Sequence, residues 1–111
     1  MGEKSKYSIV ISTCADKESA KAIAKLLIEE RLVSCVQMLP VESIYVWQEK
    51  VCEDNEIVLL IKTKIALFEK ISATIRENHT YEVPEIIQIP ITDGLPEYLQ
   101  WIDSCTENET I

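Results

Sequence analysis

Hydrophobic positions change their period several times along this chain of 111 residues. Tyr7 to Thr13, YSIVIST, alternates and is rich in β-branched residues, which predicts a strand. Ala20, Ile23, Ala24, Leu27 and Ile28 then recur at helical spacing. Asp16 is placed to cap that helix, Glu18 falls in its first turn, and the pattern runs to about Arg31. Between Ser34 and Thr63 lie two long extended runs that meet near Gln48, Glu49 and Lys50, and Pro40 inside the first predicts an edge position or a bulge. Thr63 is placed to cap a second helix, whose apolar stripe is Phe68, Ile71 and Ile75 and whose end lies near Asn78 and His79. Pro84 drives residue 83 out of helical geometry, and Glu85 to Ile91 reads as a fourth strand. Asp93 and Gly94 turn the chain, Pro96 suits a first helical turn, and Leu95, Tyr98, Leu99 and Ile102 would line the inner side of a third helix.

The order is β-α-β-β-α-β with an added C-terminal helix. This predicts an α+β, ferredoxin-like fold: one antiparallel sheet with helices on one face. The length fits a single domain over residues 1–111, with 104–111 read as a loose tail. Ile57 to Ile61, IVLLI, is apolar at every position, as in a strand buried on both sides. Two helices hide one side only. The thirteen extended residues from Cys35 to Trp47 would span about 43 Å at ~3.3 Å each, so the hairpin tip with Tyr45, Val46 and Trp47 should overhang the subunit. Self-association with cyclic symmetry covers both surfaces; the competing arrangement is a monomer whose added helix covers the sheet.

Eleven basic against nineteen acidic residues give a net charge of -8, and the lysines of the first helix alternate with glutamates. That balance disfavours nucleic acid as a partner. No stretch has the ~20 apolar residues that cross a bilayer, and no signal core is evident, so no membrane partner and a cytoplasmic location are expected. The cysteines Cys14, Cys35, Cys52 and Cys105 form no C-x-x-C pair, so free thiols are expected rather than a structural zinc site. Only Gly2 and Gly94 are glycines, which excludes a P-loop.

The candidate chemistry gathers around the single histidine. Cys14 falls at the end of the first strand before a helix N-terminus, a place expected to lower a thiol's pKa. The loop holding His79, Glu82 and Glu85 is able to reach the same end of the sheet. Thiolate with imidazole suits copper or zinc, and carboxylates widen that tolerance. The competing readings are plain: Cys14 as a small buried residue, His79 as a helix end, and Glu82 and Glu85 as partners of Lys50, Lys62 or Arg76. Tyr45, Trp47, Lys62, Tyr81 and Trp101 are candidates for a subunit interface or cleft. An enzyme using Cys14 as nucleophile and His79 as base has no supporting motif.

The stretches STCADKESAKAIAKLLIEERLVSCVQMLP, SIYVWQEKV, LLIKT and HTYEVPEIIQIPITDGLPEYLQWI resemble the signature segments of the CutA divalent-cation-tolerance proteins, from about Tyr7 to Ile102. The resemblance implies a homotrimer of ferredoxin-like subunits, similar in architecture to the PII signalling proteins. It also implies a role in tolerance to divalent ions, notably copper, without catalysis; the alternative is a PII-like trimer that binds an effector and regulates a partner. Three positions depart from the family pattern. Ala15 and Thr80 stand where proline is common, and Glu49 where the hairpin commonly has glycine.

Overall fold

The computed structural model describes residues 5–108. In chain order the elements are β1 (Tyr7–Cys14), α1 (Lys17–Glu29), β2 (Cys35–Trp47), β3 (Lys50–Lys64), a 3-10 turn (Ile65–Leu67), α2 (Phe68–Asn78), β4 (Ile86–Pro90) and α3 (Pro96–Cys105). The strands form one antiparallel sheet in the order β2-β3-β1-β4. This is the ferredoxin-like α+β arrangement with one helix added. Pro40 sits on the edge strand β2, where its missing N–H costs no ladder bond on the open side.

The Asp16 side chain caps α1 by accepting from the Ser19 N–H at 2.8 Å. The helix stops short of Arg31 because that residue turns left-handed, with φ 59. Its N–H then donates to Ile28 O and that of Leu32 to Leu27 O, a Schellman closure. Ala20, Ile23 and Leu27 of α1 and Ile71 and Ile75 of α2 pack with Val10, Leu59 and Ile61 of the sheet, so both helices share one face. Thr63 does not cap α2. It stays in β3 opposite Ser8, fully buried, with its hydroxyl donating to Leu32 O at 2.6 Å. The 3-10 turn intervenes, and α2 begins with no side-chain cap.

The third helix departs from its predicted inner face. Pro96 does occupy its first turn, Ile102 is fully buried and Leu99 half-buried, but Leu95 and Tyr98 are exposed. Asp103 anchors it instead, accepting from Lys6 Nζ at 3.1 Å and from the buried Lys64 Nζ at 3.2 Å. Residues 104–108 are not a loose tail. Ser104 and Cys105 complete α3, the buried Thr106 hydroxyl donates to Ile102 O at 2.9 Å, and the Glu107 N–H donates to Arg31 O at 2.8 Å. Residues 109–111 lie outside the described residues.

Pairing of β2 with β3 runs on to Trp47 opposite Lys50, whereas β1 ends at Cys14 opposite Ile57. The distal hairpin therefore projects past the central strand. Its two-residue turn is left-handed at both Gln48 (φ 53) and Glu49 (φ 68), the geometry that favours glycine or asparagine. Replacing Glu49 with Gly is expected to raise stability by about 1 kcal/mol, read as a higher urea midpoint with an unchanged slope.

The sheet's second face is largely bare. Strand alternation places Ile9, Ile11, Leu39, Leu60, Ile87 and Ile89 on the side away from the α1 and α2 core, with Ile9 opposite Ile89 and Ile11 opposite both Ile87 and Leu60. Ile87 and Ile89 are 47% and 45% exposed, and Leu39 is 52% exposed. On the projecting hairpin, Ile44, Val46 and Val51 are each at least 70% exposed. A contiguous apolar surface of this kind marks an interaction face.

Candidate functional site

The carboxyl end of β1 brings Cys14 and His79 together. His79 follows α2 directly in extended conformation, which swings its ring back to the strand end. The Tyr81 N–H donates to His79 Nδ1 at 3.0 Å, so Nδ1 is an acceptor and the ring proton is assigned to Nε2. Nε2–H then donates to Thr13 O at 2.6 Å, with Cys14 Sγ at 3.8 Å. Both ring nitrogens are thus occupied by backbone groups, and the ring is fixed although Thr80 replaces the family's proline.

Cys14 is buried, and its thiol is pushed up to about 11 by desolvation, with the Asp16 and Glu56 charges adding to the effect. The expected lowering by the helix N-terminus is therefore reversed: burial and the capping carboxylate outweigh it. A protonated thiol beside an imidazole that already donates its proton to Thr13 is not a nucleophile–base pair. Iodoacetamide at neutral pH is expected to alkylate Cys52 on the hairpin well before Cys14 in the folded protein. Peptide mass mapping over time checks this; equal rates would contradict it.

Glu82 and Glu85 are exposed and do not join Cys14 and His79 in a ligand set. Glu82 borders a shallow hollow with Arg76, Glu77 and Tyr81. Among the described residues no group of three or more His, Cys, Asp or Glu side chains is close enough to hold a metal ion. Within one subunit the four predicted ligands therefore do not fit a metal centre. Coordination through either His79 nitrogen would also displace a backbone hydrogen bond.

Tyr81 stacks at a tilt against His79, centroids 4.8 Å apart, and its hydroxyl donates to Glu56 Oε2 at 2.6 Å. Desolvation and Glu56 hold that phenol protonated well above its usual range. On the hairpin the Tyr45 hydroxyl donates to Asp54, which pushes it up to about 12. Trp47 is 40% exposed near the tip, Trp101 is exposed beside Tyr98 on α3, and the Lys62 ammonium donates to Gln37 Oε1 at 2.7 Å. Glu56 was not among the predicted site residues. Its signal is the strand period, which sets it on the same side of β3 as Val58 and Leu60 despite its charge.

The fold and this cluster define a class: a small α+β domain of ferredoxin-like topology, with its polar residues gathered where the central strand ends. The family model of the CutA1 divalent ion tolerance protein matches residues 8–105, and the chain belongs to that family. It is 45% identical over 95 residues to the divalent-cation tolerance protein CutA of Thermus thermophilus, covering 85% of this chain and 92% of that protein. It is 40% identical over 101 residues to the chloroplastic CutA of Arabidopsis thaliana, covering 90% of this chain but 56% of that longer protein. The crystal structure of CutA1 from a psychrotrophic Shewanella superposes with a TM-score of 0.91 at 36% identity, covering 96% of this chain and all of that one. No described helix is long and apolar enough to cross a membrane.

Proposed function

We propose that this chain is a cytoplasmic divalent-cation-tolerance protein that works as a homotrimer, taking copper or other divalent cations as its substrate in clefts between subunits, without catalysis. The observation that carries this reading is the apolar face of Ile9, Ile11, Leu60, Ile87 and Ile89, of which a single chain leaves the first three half-buried and the last two exposed. Cyclic packing of three copies removes that face from solvent and builds clefts at its margins. His79, with the buried Cys14 behind its ring, and the exposed Glu82 and Glu85 then line the cleft margin, with Tyr45, Trp47, Lys62, Tyr81 and Trp101 as interface candidates. Among the described residues no three ligands converge within one subunit, so the cation contacts are placed between copies. The acidic surplus of eight charges favours cations in general.

Calorimetric titration with Cu(II), Cu(I) and Zn(II) tests the reading. The assembled protein is expected to bind, and Cys14→Ala and His79→Ala to weaken binding at least tenfold. Unchanged affinity in both variants removes these residues from the cation site.

A further inference from the structure

Glu56 is the one carboxylate of the hairpin that is more than nine-tenths buried, at 8% exposure. Its hydrogen bond comes from the neutral Tyr81 hydroxyl, and no Lys, Arg or His nitrogen lies within ion-pair distance of it among the described residues. It opens on a groove walled by Pro40, Val41 and Ile57, where Glu42 adds a second negative charge. A buried carboxylate without a cation is costly, and apolar walls around it suit the aliphatic stem of a lysine.

The same strand carries the complementary defect. Lys62 lies six residues along β3, on the same side by alternation, between Ile9 and Cys35 in the sheet register. Its ammonium is bonded to the neutral Gln37 and to no carboxylate. Six strand residues separate the two charges by about 20 Å, beyond the reach of a lysine side chain, so they do not neutralise each other within one copy. Lys64, the next cation on that side, is already held by Asp103, and Lys50 sits at the exposed hairpin turn. From this the geometry points to an intersubunit ion pair: Lys62 of a second copy enters the groove and neutralises Glu56, repeating around the ring.

This pairing rests on the trimeric reading above. A heterologous contact, with one patch meeting a different patch on the next copy, is the kind that closes a cyclic assembly. It also places the pair next to Tyr81, and thus ties assembly to the loop that holds His79 against Thr13.

A double-mutant cycle tests it: the parent, Glu56→Gln, Lys62→Met and the double variant, each measured by light scattering over a dilution series with circular dichroism as the folding control. Glu56→Gln keeps an acceptor for Tyr81, so the fold is expected to persist. Each single change should raise the concentration at which trimers dissociate at least tenfold, the double change should add little more, and the reversed pair Glu56→Lys with Lys62→Glu should recover part of the loss. Multiplying effects in a trimeric parent overturn the pairing alone. So does a Lys62→Met protein that assembles like the parent while a chelator or Glu56→Gln weakens assembly, because the groove's cation is then a bound ion. A parent at 12.7 kDa under all conditions overturns the trimeric reading and the pairing with it.

Discussion

Ile87→Glu is expected to turn the assembled protein into folded monomers. Light scattering should then report about 12.7 kDa in place of three times that mass, about 38 kDa. Ile87 is 47% exposed in the single chain and lies opposite Ile11 on the bare face, so a glutamate there stays hydrated in a monomer and costs the fold little. In the assembly the same carboxylate is forced into an apolar contact with no cation beside it. An unpaired charge buried in this way costs several kcal/mol per copy, and each 1.4 kcal/mol shifts the dissociation constant tenfold. Far-ultraviolet circular dichroism should match the parent. An Ile87→Glu protein that keeps the assembled mass would show that this face is not the contact.

The second large effect concerns the histidine. His79→Ala should destabilise the protein by about 2–3 kcal/mol, read as a lower urea midpoint at fixed protein concentration. Its ring joins two backbone groups, donating to the Thr13 carbonyl at 2.6 Å and accepting from the Tyr81 N–H at 3.0 Å. Without the ring both lose their bond, and the loop that positions Tyr81 on Glu56 is released. Thr80→Ala, at an exposed neighbouring position, is the control and should change stability by no more than ~0.5 kcal/mol. Hydrogen exchange at the Tyr81 amide should accelerate in His79→Ala only. A stability equal to that of the control would reduce His79 to a surface residue.

Much of the architecture was legible because hydrophobic period and turn chemistry agree along most of the chain. The β1 alternation, the Asp16 cap, Pro40 on an edge, and Pro96 at a helix start all appear where the pattern put them. The failures share a cause: a tertiary partner replaced the local one. Thr63 has capping chemistry, but its hydroxyl is taken by Leu32 O, so the strand continues. Leu95 and Tyr98 belong to the predicted stripe, yet α3 is fixed by the Asp103 contacts and by the buried Ile102, which leaves those two side chains in water. Residues 104–108 are polar, and their order comes from Thr106 and from the backbone of Arg31.

The candidate site was legible in part. Chain order and sheet topology were enough to bring His79 to Cys14. They do not reveal that a backbone carbonyl, Thr13 O, would claim the ring proton, since carbonyls carry no sequence signal. Nor does a helix N-terminus after a cysteine foretell its pKa when burial and the Asp16 carboxylate oppose the dipole. Glu82 and Glu85 are close to His79 in sequence, but the chain bends through residues 80–83 ahead of Pro84 and both glutamates are exposed.

The proposed function depends on covering one side of the sheet. The direct measurement is the molar mass of the unmodified protein by multi-angle light scattering, from micromolar concentration down to the lowest that still scatters. Three bound copies, about 38 kDa and stable to dilution, are the predicted result; a well-folded species at 12.7 kDa throughout would contradict the account.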